Sequence, residues 1–391
     1  MESHKKYFGF PPNVFFLSLV SFFNDIGGET IKKTIPLYLS NVLLVPTTII
    51  GLIEGVADAT PQLFQPVSGY LSDRSEKRRP WVVAGQVLRS SMVFLFWATS
   101  WPAILFIRFL DRSGKGVAQS PRDALIAGSA DAGHIGRAFG LNRMFDNGGA
   151  VIGLLLASLI LVFTQKGALL TTSAFQWIVL LAVVPLIANV IIVRFFVHDV
   201  SKKITNPKLS FRNKLGRKFY IFLFIVFIFT LGNSSDAFIS LKAQSAGIPV
   251  WQIFLLIAGY SLVSSVTAIP LSSLSDRKGR KTLLVLGCVL YSVIYYLLGT
   301  TSYAATVGIL MLSYGLYYGL TEGTARAYIS DIVPSERRGT AYGLFNMVSG
   351  STLLIASLLA GYLWQTVNPS ATFYFGSVTA ALAALGLILF I

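Results

Sequence analysis

Five polar residues stand in a row on a stretch that is otherwise built for the interior of a bilayer. Arg108, Arg112, Lys115, Gln119 and Arg122 fall at i, i+4, i+7, i+11 and i+14. At about 100° per residue they share one helical face about 80° wide. The stretch follows the apolar Val93–Leu105 and runs into Ala124–Ala130. A charge at mid-bilayer costs roughly 2.5–3.5 kcal/mol even on the lenient insertion scale, so such side chains must face protein or water. Four cations kept on one face predict a site for something anionic.

Other charges interrupt apolar segments around this row. The first such segment carries Asn24, Asp25, Glu29, Lys32 and Lys33, and the second carries Glu54, Asp58, Gln62 and Gln65. Arg89, Arg143 and Asp146 follow, then Asn233, Asp236, Lys242, Glu322 and Arg326. With Asp111 and Asp123 they nearly balance the cations, which admits a second reading in which the charges pair with one another. Arg122–Asp123, Arg143–Asp146 and Glu322–Arg326 lie near helix ends, where pairing or gating outweighs ligand contact. For Arg112 and Lys115, deep in their span, ligand contact and pairing with Asp25 or Asp58 stand level. The candidates for holding a ligand are Arg108, Arg112, Lys115, Gln119, Asn24 and Asn233. The candidates for exchanging a proton are Asp25, Glu29, Asp58, Asp111, Asp236 and Glu322, since buried carboxylates beside movable cations are what proton coupling requires.

The elements that must position these residues follow from composition. Of 391 residues 54% are hydrophobic and only 13% charged, where a soluble chain would carry about a quarter charged. Apolar segments long enough to cross a hydrocarbon core of about 30 Å recur throughout, and continuous apolar runs exclude a transmembrane barrel. The chain reads as an all-α polytopic membrane protein. Cys288 is the single cysteine, and His4, His134 and His198 lie outside apolar segments or at their ends. These numbers give no support to a disulfide framework, a metal site or another cofactor. Lys5 and Lys6 precede the first long span without a small-residue cleavage site, which predicts an uncleaved first helix.

Turn residues and charge clusters mark twelve helices near 13–40, 47–72, 80–100, 103–129, 137–163, 174–197, 218–241, 250–274, 281–300, 303–330, 339–364 and 371–391. The net charge of +15 raises the question of nucleic acid, but its placement answers otherwise. Basic residues crowd alternate loops: Arg74 to Arg79, Arg137, Lys202 to Lys218, Arg277 to Lys281, and Arg337 with Arg338. That is the positive-inside pattern, which predicts cytoplasmic termini and the inner membrane of a prokaryote. Residues 1–200 then form one six-helix bundle, 201–217 a basic linker able to meet anionic lipid headgroups, and 218–391 a second bundle.

An internal repeat supports the division. Ser72-Asp73-Arg74 recurs as Ser275-Asp276-Arg277, and Gly136-Arg-Ala-Phe-Gly-Leu141 as Gly339-Thr-Ala-Tyr-Gly-Leu344, both at an offset of 203. Two matches in one register mark duplicated halves.

The loop after the second helix, Gly69-Tyr-Leu-Ser-Asp73-Arg74-Ser-Glu76-Lys77-Arg78, resembles the G-x-x-x-D-R/K-x-G-R/K-R/K signature of the major facilitator superfamily. Its copy is Ser272-Ser-Leu-Ser-Asp276-Arg277-Lys278-Gly279-Arg280-Lys281. Each copy lacks one glycine, with Glu76 in one and Ser272 in the other. The fifth helix places Gly140, Gly149 and Gly153 as in the superfamily's antiporter signature, but Leu154 replaces the proline and Ala157-Ser158 the final glycines. Small residues also serve close helix packing alone. Arg108-Phe-Leu-Asp111-Arg112 is similar to a third signature, R-x-x-Q-G, only in its arginine. Gly114 and Gly116 lack the spacing of a phosphate loop.

The resemblance implies a twelve-helix secondary transporter of the drug/proton antiporter-like branch, working by alternating access. Gly69, Asp73, Arg74, Asp276, Arg277, Arg122, Arg143 and Asp146 would then serve gating. The expected activity is proton-coupled movement of an amphipathic or anionic small molecule, with export favoured by the partial antiporter signature. The expected partners are that solute, the coupling ion and the bilayer, with the protein a monomer. Import of an organic anion is the alternative within transport, and a non-transporting sensor or scaffold the alternative outside it. No nucleophile–base spacing suggests an enzyme. The aromatic runs Tyr291–Tyr296 and Tyr314–Tyr318 admit the lining of a cavity for an amphipathic solute, with packing and interfacial anchoring the commoner roles for most of them.

Overall fold

Each apolar segment becomes a helix because a bilayer leaves backbone polar groups no partner but one another. The computed structural model describes residues 6–75, 77–130, 134–164, 167–200, 215–334 and 337–391. The side chains of Ile135, Ile269, Ser272, Ser273, Asp276 and Gly339 fall outside the description, as does most of the expected linker, 201–214. The helices are α1 (Pro12–Asn41), α2 (Thr47–Arg74), α3 (Arg79–Arg89), α4 (Trp101–Ser129), α5 (Ile135–Thr164), α6 (Thr172–Phe196) and α7 (Arg217–Gly232). There follow α8 (Ala237–Ser245), α9 (Val250–Lys278), α10 (Arg280–Thr300), α11 (Ala304–Ile332), α12 (Arg338–Thr366) and α13 (Pro369–Phe390). Together they make the twelve spans of an all-α membrane protein. Among the described residues nine spans are long and apolar enough to cross a bilayer by composition alone. The 29-residue α4 is not one of them, because of the charges it carries.

Two expected helices are corrected. The third, read as 80–100, stops as an α-helix at Arg89 and continues as a 3-10 turn over Ser90–Trp97. Ser90 lies at the change, its hydroxyl donating to the Gln86 carbonyl at 3.0 Å. The seventh, read as 218–241, breaks between Gly232 and Ala237. The break is Asn233-Ser-Ser-Asp236, four short polar residues that compete for their own backbone and so favour caps over helix interior. Ser235 Oγ accepts from the Ala237 amide at 3.3 Å, which satisfies one of the donors that the start of α8 leaves open.

The chain folds as two compact units. One comprises residues 1–38, 60–165 and 170–209, the other 39–59, 166–169 and 210–391. The first has a core of Val14, Leu17, Val82, Leu125 and Val193. The second packs Phe219, Phe222, Leu284, Ile329 and Ala383. The repeat is exact in one pair: α4 and α11 differ by 203 at both ends.

One cap was not foreseen. Asp199 Oδ1 accepts from the backbone amides of Arg78 and Arg79 at 2.7 and 2.8 Å, where α3 begins. A carboxylate there satisfies two open donors and complements the helix dipole. Asp199→Ala is expected to cost about 1 kcal/mol, seen as a lower midpoint of thermal unfolding in detergent, whereas Asp199→Asn retains most of it.

Candidate functional site

Within the first unit the row on α4 is not one surface. Arg108 and Asp111 are fully buried and Arg112 is 3% exposed, while Lys115 and Gln119 are half-buried. The end of α3 explains the difference. Arg89 Nε donates to Asp111 Oδ1 at 3.3 Å, and Arg112 Nε lies 3.5 Å from Asp111 Oδ2. One carboxylate therefore sits between two guanidiniums. Arg89 also donates to the Asn24 carbonyl at 3.4 Å, tying α3 to α1. Gly28 makes room for it, since a Cβ there would stand 2.6 Å from Arg89 Nη2. The Asn24 side-chain oxygen is buried and finds no hydrogen-bond partner among the described residues.

In front of this buried layer stand Asp25 and Glu29 of α1 and Lys115 of α4, all half-buried. Asp25 and Glu29 both act electrostatically on Lys115, as do Arg89 and Arg112. The sequence left the partner of Lys115 open between Asp25 and Asp58, and Asp25 acts on it electrostatically. Two carboxylates and one ammonium in reach of water can bind an anion, release a proton, or exchange one for the other.

Toward the end of the unit the contacts become a hydrogen-bonded chain. Arg122 pairs with Asp123 at 3.3 Å and donates to Ser21 Oγ at 2.8 Å. Ser21 donates to Asn142 Oδ1 at 2.8 Å, and Asn142 donates to Asp146 Oδ2 at 3.1 Å. Arg143 is exposed on α5. Asp73 pairs with Arg78 at 2.8 Å within its own motif, Arg74 lies 4.4 Å over the Tyr70 ring, and Gly69 leaves a Cβ only 3.2 Å from Ser120 Oγ. Gly149 and Gly153 press α5 onto α1, where Cβ atoms would lie 2.2 and 2.5 Å from the Phe22 and Ile26 carbonyls. Gly114 lets α4 approach α3 closely, since a Cβ there would stand 2.5 Å from the Gly85 carbonyl.

The second unit builds a different site around the break in its first span. Asp236 accepts hydroxyl donations from Tyr260 at 2.9 Å and from Tyr314 and Tyr318 at 3.2 Å. Asn233 Nδ2 donates to Tyr317 Oη at 3.3 Å and its Oδ1 accepts from Tyr291 at 3.3 Å. The Tyr291 and Tyr295 rings stack at 4.0 Å. Ser235 Oγ donates to the buried Glu54 at 3.4 Å. Asp58 is half-buried and Glu322 exposed on α11. In the second motif Arg280 pairs with Asp331, and Arg277 is exposed. The Asp276 side chain lies outside the described residues.

From sequence the tyrosine cluster reads mainly as packing, but the internal repeat carries a stronger signal. The offset of 203 carries Asp111 onto Tyr314, Lys115 onto Tyr318 and Gln119 onto Glu322. The charged face of one helix thus has a hydroxyl-bearing face as its counterpart. Asp199 and Glu54 had no comparable signal.

Comparison with known proteins bears on this arrangement. Residues 17–352 and 221–391 match the Major Facilitator Superfamily. The chain is 34% identical to an uncharacterised MFS-type transporter of Methanocaldococcus jannaschii, over 97% of this chain and 94% of the relative. It is 22% identical to the quinolone resistance protein NorA of Staphylococcus aureus over 43% of this chain and 44% of that protein. Among solved structures, a POT family transporter in complex with 5-aminolevulinic acid superposes with a TM-score of 0.84 at 14% identity, covering 99% of this chain and 97% of the other.

Proposed function

The chain belongs to the Major Facilitator Superfamily of membrane transporters, and we propose that it moves an anionic or amphipathic small molecule by proton-coupled alternating access. The observation that carries the proposal is the half-buried group Asp25, Glu29 and Lys115, backed by the buried Arg89–Asp111–Arg112 layer. Lys115 holds the anionic group of the solute. Asp25 carries the coupling proton, because occupation of Lys115 by a solute removes a cation that favours its charged form. Asp111 holds the two guanidiniums of the layer together. The halves 1–200 and 218–391 are the moving bodies, and the Asp73–Arg78 and Arg280–Asp331 pairs tie the basic ends, which the positive-inside rule places in the cytoplasm.

Export is the favoured direction. The partial antiporter signature of α5 and a relative named for quinolone resistance support it. A second reading rests on the other unit: the Asp236 carboxylate and the surrounding tyrosine rings suit a cationic group. A thermal-shift panel on the purified protein separates the two, since a ligand of the folded state raises apparent stability. Carboxylated or phosphorylated metabolites are expected to raise the midpoint. A shift with cationic amphiphiles alone would contradict the assignment of Lys115.

A further inference from the structure

A cation-lined cavity lies away from the charge cluster, at the end of the first unit where α1 and α5 begin. It encloses about 150 Å³ and is lined by Lys6, Gly9, Phe10, Ala130, His134 and Arg137. The Arg137 guanidinium lies 4.7 Å over the Phe10 ring, which fixes it toward the cavity. Asn13 holds the segment down, donating to Ser129 Oγ at 3.0 Å and to the His198 carbonyl at 2.9 Å. The wall is therefore preformed.

The chain beside the cavity has an unusual shape. Tyr7 and Phe10 exchange two backbone hydrogen bonds of 2.9 Å, closing a tight turn over Phe8 and Gly9. Both turn residues have positive φ, +51° at Phe8 and +79° at Gly9. Gly9 accepts that conformation freely, but a phenylalanine there is a rare choice. The turn leaves Phe8 86% exposed, with its ring 5.8 Å from that of Phe15. An exposed aromatic in a strained position beside two permanent cations fits a headgroup boundary, where aromatic side chains anchor and basic pockets meet lipid phosphates.

We propose that this cavity binds the phosphate of an anionic phospholipid, with Lys6 and Arg137 contacting the phosphate and Phe8 inserted among the adjoining chains. The site is independent of the transport reading. The ring commits the assignment to a lipid, since a free anion would have no use for it.

The test titrates the full chain in neutral detergent with phosphatidylglycerol, phosphatidylcholine or inorganic phosphate, reading retained lipid by native mass spectrometry and the midpoint of unfolding. Phosphatidylglycerol is expected to be retained and to raise the midpoint, with the other two without effect. Lys6→Gln/Arg137→Gln weakens that response by roughly fivefold per cation removed, Arg137→Lys restores most of the arginine's share, and Lys77→Gln in a neighbouring basic loop leaves it unchanged. Equal responses to phosphatidylglycerol and phosphatidylcholine would overturn the proposal, as would a double variant that responds like the wild type. A response to inorganic phosphate matching that to phosphatidylglycerol would replace the lipid by a free anion.

Discussion

Asp111→Ala is expected to destabilise the protein by about 3–5 kcal/mol, the cost of leaving buried charge without its partner. Asp111 is fully buried, with Arg89 at 3.3 Å on one oxygen and Arg112 at 3.5 Å on the other. Its removal takes the nearest counter-charge from the buried Arg89 guanidinium, whose hydrogen bond to the Asn24 carbonyl does not replace it. A low yield of monodisperse protein and a strongly lowered unfolding midpoint are the readouts. The double replacement Arg89→Met/Asp111→Leu leaves Arg112 as the one charge of the layer and is expected to recover the share of the loss that comes from stranding Arg89, because buried ion pairs are often replaceable by apolar residues of similar volume. Full stability of Asp111→Ala would show that the layer behind Lys115 is not held by this carboxylate.

Lys115→Met is expected to do the opposite: fold normally and bind poorly. The substitution keeps the length of the side chain and removes its charge. Lys115 is half-buried, so neutralising it strands no fully buried counter-ion. A hydrogen bond to a charged group contributes about 1.5–3 kcal/mol, which predicts roughly a 10- to 150-fold weaker affinity for an anionic ligand. Titration of the thermal shift with a ligand from the panel measures it. Wild-type affinity in a folded Lys115→Met protein would move the anion site elsewhere.

These two outcomes also separate what could be read in the sequence from what could not. The row on α4 was visible because a helix repeats every 3.6 residues, and the period assigns side chains to a face. Periodicity does not assign depth. Arg108 and Lys115 share the face, yet one is sealed and the other half-open, since burial depends on how neighbouring helices cover each turn. The break in the seventh span was written in Asn233-Ser-Ser-Asp236, but apolar residues on either side masked it. The tyrosines of α10 and α11 serve packing and hydrogen bonding equally well, so their types alone did not separate them from interfacial anchors. Asp199 caps a helix 120 residues distant in the chain, a contact that no local pattern carries. The twelve spans were legible because each is stated by a long apolar run closed by turn residues and charge.

The central claim is that Asp25 couples solute movement to protons. Proteoliposomes loaded with a ligand from the thermal-shift panel provide the direct measurement, with flux followed under an imposed pH gradient and without one. The wild type is expected to drive the ligand against its concentration gradient only when the pH gradient is present. Asp25→Asn is expected to lose that accumulation while still exchanging ligand down its own gradient. Gradient-driven accumulation by Asp25→Asn at the wild-type level would contradict the account.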